Sequence, residues 1–234
     1  MRLGFRRGLI HGIPIALGYF SVSFGFGIMA VRAGLTVMEA VCISMTNLTS
    51  AGQAAGVSVI AASGTYIEMA VTQFIINIRY SLMGLSLSQK LDNSFNTIHR
   101  LAVSFGITDE IFAVSSAQPS KLTPRYMYGL ILISFIGWSS GTLLGAAAGN
   151  ILPAIITDAM GIVLYGMFLA IIIPAAKKSR SVLLAIVIAA LISTVLYYAV
   201  PSLSSGFAVI ISSVVSAFIA ALLFPVPEEE EKKE

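Results

Sequence analysis

Charge and cysteine are what this sequence has least of. Only 11% of its 234 residues are Asp, Glu, Lys or Arg, against roughly 25% in ordinary soluble domains, and 57% are hydrophobic. A chain so poor in charge cannot cover a water-soluble surface, so it reads as a polytopic membrane protein. The single cysteine, Cys42, excludes an intrachain disulfide and a cysteine-based metal cluster. Catalytic signatures are missing as well. There is no G-x-S-x-G elbow, no H-E-x-x-H and no phosphate-binding Gly-Lys-Ser/Thr loop, and the two histidines, His11 and His99, fall in different segments. Neither an enzyme nor a cofactor is expected. The net charge of +3 is spread over short connections, which argues for control of membrane topology and against a nucleic-acid surface.

What is present is apolar length. Six segments, roughly 8–31, 64–86, 124–147, 153–174, 181–200 and 204–224, reach the ~20 helical residues that cross a bilayer core. The first, which begins "MRLGFRRGLIHGIPIALGYF", has a basic start but no convincing small-residue cleavage site, and reads as a retained helix. Two more segments are interrupted: 36–62 by "NLTSAGQAAG" and 96–118 by "FGITDE". A break frees backbone groups that must find partners, so in a membrane it is tolerated mainly where it lines a cavity.

Placing Arg2, Arg6 and Arg7 in the cytoplasm and treating both interrupted segments as re-entrant puts Lys90, Arg100, Lys121, Arg125, Lys177, Lys178 and Arg180 on the same side, with only Arg32 outside. Two full spans would instead move Lys90 and Arg100 outside. The expected fold is therefore all-α: about six full transmembrane helices plus two broken or re-entrant elements, with both termini cytoplasmic. The two elements enter from opposite sides and each precedes a full span, an inverted-repeat pattern of secondary transporters with a midplane site. The alternative is eight ordinary helices with polar kinks. A single transporter domain is expected over 1–227, followed by a solvated charged tail at 228–234.

The polar exceptions are the site candidates, since an ionisable group in the hydrocarbon centre costs about 3 kcal/mol on insertion scales. Asp109 and Glu110 follow the second break, where Thr108 or Asp109 also fits as a helix cap. Glu68 and Arg79 share a helix face but stand roughly 16 Å apart, too far to pair; Arg79 near the helix end suits a snorkelling cation. Gln73 and Asn77 form an i,i+4 amide pair of the kind that joins helices, and Asp158 lies beyond Pro153 as a cap or interface residue. Gly137, Gly141, Gly145 and Gly149 stack three G-x-x-x-G units into a stripe for close helix approach.

Taken in order, "SAGQ" (Ser50–Gln53), "NIRYSLMGLSL" (Asn77–Leu87), "TDEIFAV" (Thr108–Val114), "GWSSGTLLG" (Gly137–Gly145) and "LPAIITDAM" (Leu152–Met160) resemble the large subunit of the azaleucine-resistance (AzlC-type) branched-chain amino acid exporters. The resemblance covers about 8–175. It implies export of valine, leucine, isoleucine and sometimes methionine across the cell membrane, with a small hydrophobic AzlD-type subunit as partner. Where the family pattern carries a Gly and an aromatic in the first broken element, this chain has Ser50 and Ala54, which points to a different or larger apolar substrate.

A zwitterionic substrate needs an anion for its ammonium and donors for its carboxylate. Asp109 or Glu110 fits the first need, and Gln53 with the backbone N–H groups after "SAGQ" fits the second. Asn77 and Asp158 complete the binding candidates. Glu68, Arg79 and Glu110 are candidates for coupling or gating, with the second carboxylate available for a proton antiport step. The competing class is a channel or a non-transporting assembly subunit.

Overall fold

The computed structural model describes residues 3–149, 166, 169 and 172–225, and the description below is confined to them. They are overwhelmingly helical: α1 (Phe5–Arg32), α2 (Val37–Thr46), α3 (Ser50–Ala61), α4 (Tyr66–Ser88), α5 (Thr97–Phe105), α6 (Asp109–Ser116), α7 (Pro124–Ala148), α8 (Arg180–Ala199) and α9 (Ser205–Leu223), with a further helical run at 172–178. Capping explains the boundaries. Thr36, Thr49, Thr65, Asn96, Thr108, Thr123, Ser179 and Ser204 each precede a helix and accept a hydrogen bond from a backbone N–H of its first turn. Such donors have no intrahelical partner, and in a bilayer no water replaces it.

Four described helices, α1, α7, α8 and α9, are long and apolar enough to cross a membrane. Helix α4 has the length, at 23 residues, but carries Glu68, Gln73, Asn77 and Arg79. Its exposed Ile67, Val71, Phe74, Ile78, Leu82 and Leu85 recur at helical spacing, giving one apolar outer stripe opposite those polar groups. The 153–174 segment lies largely outside the described residues, so a count of six spans goes beyond what the structure establishes. The 228–234 tail and Asp158 are outside as well.

The fold is organised around α1 and α7, which run parallel in intimate contact. A Cβ at Gly137 would strike Ala16, one at Gly141 would strike Phe20 and Ser23, and one at Gly145 would strike Phe24. The two helices thus advance together, and Gly8, Gly12 and Gly27 of α1 return the contact against Tyr126, Leu130, Thr142 and Ala146. The glycine stripe therefore faces α1, a partner that the spacing alone does not identify. Gly149, where a Cβ would come only within an ordinary 3.5 Å of Ile28 on α1, is at the loose end of the seam.

Both interrupted segments fold back on themselves. In the first, only Asn47–Thr49 leave the helix, because Thr49 caps α3 and "SAGQAAG" becomes its opening turns rather than the break. Gln53 Nε2 donates across to Ser44 Oγ at 3.0 Å, Ser44 meets Thr142 Oγ1 at 2.7 Å, and Ala40 and Val57 pack together against Phe26, Ala30 and Ala146. The arms thus lie side by side, with the tip directed inward from the end of the bundle where α1 finishes. The second hairpin comes from the end where α1 begins. His99 Nδ1 on α5 meets Tyr128 Oη at 2.7 Å, Ser115 on α6 contacts Met127 Sδ at 3.4 Å, and Lys90 Nζ donates to the Ser116 carbonyl. Its tip, Gly106–Thr108, reaches Tyr19 midway along α1.

At the other end of α4, Glu68 is buried. Its Oε1 accepts from the Ser204 hydroxyl and, at 3.1 Å, from the Gly206 N–H, tying the start of α9 to the start of α4. Helices α8 and α9 pack on each other across the turn at 200–204.

Candidate functional site

The two hairpin tips meet in the middle of the bundle. Leu48 and Ser50 from the first, Thr108, Asp109 and Glu110 from the second, Tyr19 of α1, Tyr80 of α4 and Trp138 of α7 line one small cavity of about 20 Å³. That is space for roughly one water. It is too small for an amino acid.

Its walls are strongly polarised. Thr108, not Asp109, caps α6, which leaves Asp109 and Glu110 in the first turn, where a helix dipole favours negative charge. Across the cavity α3 begins at Ser50, capped by Thr49, with no acidic residue in its own first turn. Tyr19 Oη lies 2.5 Å from Thr108 Oγ1 and 2.6 Å from Glu110 Oε2. A phenol has one hydrogen to donate; with that hydrogen on the carboxylate, the Thr108 hydroxyl donates back to the tyrosine oxygen. The Tyr19 ring meets Trp138 edge to face at 5.1 Å between centroids. The buried Trp138 Nε1–H finds no acceptor among the described residues.

Arg79 completes the centre. Its Nη1 is 2.9 Å from Asp109 Oδ1, and its Nη2 is 3.3 Å from Tyr80 Oη, which in turn donates to Thr49 Oγ1 at 3.3 Å. The expectation of a snorkelling cation at the helix end is corrected. Arg79 lies level with the tips because a carboxylate is available there, and pairing removes most of the penalty that would otherwise drive the guanidinium outward. One chain of polar contacts therefore joins the first tip, α4 and the second tip.

The amides sit elsewhere. Gln53 is held in the seam of the first hairpin; Gln73 Nε2 donates to the Gly52 carbonyl at 2.7 Å, and Gln73 Oε1 accepts from Asn77 Nδ2 at 3.1 Å. Gln53 and Gln73 line a separate, mostly apolar cavity of about 260 Å³ between that hairpin and α4. Gln53 and Asn77 are thus beside the central cavity rather than in it. Glu68 is remote, bound to α9. Among the described residues no group of three or more His, Cys, Asp and Glu side chains is arranged to hold a metal.

Sequence reasoning missed Tyr19, Tyr80 and Trp138. A usable signal existed, since tyrosine and tryptophan normally concentrate at membrane interfaces, whereas Tyr19 and Trp138, the sole tryptophan, fall mid-helix.

The family described as AzlC protein matches residues 14–152, which include both hairpins, α4 and α7. The chain belongs to the AzlC family. An uncharacterized membrane protein of Archaeoglobus fulgidus is 32% identical over 175 residues, covering 74% of this chain and 76% of the relative. Inner membrane protein YgaZ of Escherichia coli is 26% identical over 205 residues, covering 84% and 83% respectively. No solved structure matches the chain. The matched region contains every residue that lines the central cavity.

Proposed function

We propose that this chain is the large subunit of a secondary transporter that exports branched-chain or other apolar amino acids from the cytoplasm. The observation that carries the reading is the opposition of an acid-rich helix start, Asp109 and Glu110 on α6, to the acid-free start of α3 across a small central cavity. An ammonium suits the first wall and a carboxylate the second. The hairpins enter from opposite ends, each followed by a long helix, α4 or α7, which supports an inverted arrangement able to expose one site alternately to either side.

Under this reading α1 begins on the cytoplasmic side of a cell or inner membrane, both termini are cytoplasmic, and a small AzlD-type subunit completes the transporter. Glu110, hydrogen-bonded to Tyr19 but free of an ion pair among the described residues, is the carboxylate available to carry a proton inward. The test is efflux of a panel of labelled amino acids from proteoliposomes, with and without the small subunit, under an imposed proton gradient. Gradient-driven efflux and stimulation by amino acid on the opposite side support a coupled carrier. Flux without such exchange would identify a channel, and no flux in either composition would leave the assembly-subunit reading.

A further inference from the structure

We propose that Arg79 is the receptor for the substrate carboxylate, and that its ion pair with Asp109 closes the empty carrier by filling both charged subsites with the protein's own groups. The inference deepens, and rests on, the reading of the central cavity as an amino acid site. In an α-amino acid the ammonium and carboxylate are borne by one carbon, so their receptors must be neighbours. Asp109 and Arg79 are neighbours at 2.9 Å, on different elements, α6 and α4.

The pair is not built as a permanent tie. Its side chains remain 40% and 30% exposed, and a single guanidinium nitrogen reaches the carboxylate while another reaches Tyr80. A guanidinium carries five N–H donors in a planar fork suited to a carboxylate, so most of Arg79's capacity is unspent. Two further members of the cavity lining suit the same role: the buried Trp138 indole N–H has no acceptor among the described residues, and Ser50 opens α3, whose first turn carries no acidic residue. Both fit a bound carboxylate.

Loading then proceeds by exchange of partners. Asp109 releases Arg79 and takes the substrate ammonium, while Arg79, Trp138 and the α3 start take the carboxylate. Empty and loaded states carry the same net charge at this pair, so both can reorient. Because Arg79 also holds Tyr80, and Tyr80 holds Thr49, breaking the pair frees the two tips from each other.

The experiment compares wild type, Arg79→Lys and Arg79→Gln, reconstituted with the small subunit, using labelled leucine and competition by isoamylamine, which is leucine without its carboxylate. Arg79→Gln should raise the leucine KM roughly 10- to 150-fold, the loss of one charged hydrogen bond, while amine competition persists or strengthens; Arg79→Lys should recover part of the leucine affinity. A second readout is thiol labelling of Ser50→Cys in a Cys42→Ser background. Labelling should be slow without leucine, and fast with leucine or in Arg79→Gln without it. An unchanged leucine KM, or equal loss for leucine and the amine, would overturn the carboxylate role. If wild type moves no amino acid, the transport reading falls with that role, and the latch is judged by labelling alone: Ser50→Cys still shielded in Arg79→Gln would overturn it.

Discussion

Tyr19, midway along α1, holds Glu110 at the tip of the second hairpin through a 2.6 Å hydrogen bond, and the same hydroxyl touches the Thr108 cap. The contact links the rigid α1–α7 pair to the element that carries the acids. Tyr19→Phe keeps the ring against Trp138 but leaves Glu110 without that donor. The expected result is correct membrane insertion, a stability loss of about 1–3 kcal/mol, and reduced transport. Thermal unfolding of the purified protein and proteoliposome flux check it; unchanged flux would detach Glu110 from the mechanism.

Asp109→Asn removes the charge proposed for the substrate ammonium while keeping volume and an acceptor for Arg79. Transport affinity should fall roughly 10- to 150-fold, with insertion and yield preserved. Normal flux at normal expression would leave Asp109 as a partner for Arg79 only.

The breaks were legible because turn and cap residues, Asn47 and Thr49 in one case and Gly106 and Thr108 in the other, interrupt apolar runs at mid-length. The acids announced themselves by their cost in a membrane. Partners were not legible. Arg79 pairs 30 residues along the chain with a tip that only folding brings near. The glycine stripe stated that something approaches closely without stating what, and α1 is far away in sequence. Gln53 was legible as a polar residue of the first hairpin, but its partner, Ser44 on the other arm, was not.

The hairpin topology predicts sidedness. Cysteines at Gly4, Tyr66 and Gln89, in a Cys42→Ser background, occupy open positions: Tyr66 and Gln89 are exposed, and a Cβ at Gly4 meets nothing. With the first broken element re-entrant, Gly4 and Gln89 label from one side and Tyr66 from the other. Labelling of Gly4 and Tyr66 from the same side would mean that the first broken element spans.

The seam between α1 and α7 predicts a position-specific defect. Gly141→Leu forces a side chain into the Phe20 backbone and Ser23, whereas a Cβ at Gly18 meets no neighbouring atom. Overpacking costs about 1–3 kcal/mol or more where backbone must move. Gly141→Leu should insert but lose monodispersity and transport, with Gly18→Leu close to wild type. Equal tolerance would remove the seam from the fold's essentials.

Glu68 offers the sharpest separation of a structural role from a coupling role. Its carboxylate is buried and accepts from the Ser204 hydroxyl and the Gly206 N–H, so it satisfies donors at the start of α9 that a bilayer leaves without water. Glutamine retains a carbonyl oxygen able to accept both bonds, and alanine retains none. If the residue serves only to dock α9, Glu68→Gln should keep stability and transport near wild type across pH, while Glu68→Ala should lose about 1–3 kcal/mol by stranding the two donors. A titrating role in coupling gives the opposite signature, in which Glu68→Gln stays folded yet loses the pH dependence of transport. The first outcome is expected, because the carboxylate lies at the far end of α4 from Arg79 and both its described partners are neutral. Flux measured against pH for the two variants, beside their thermal unfolding, decides it.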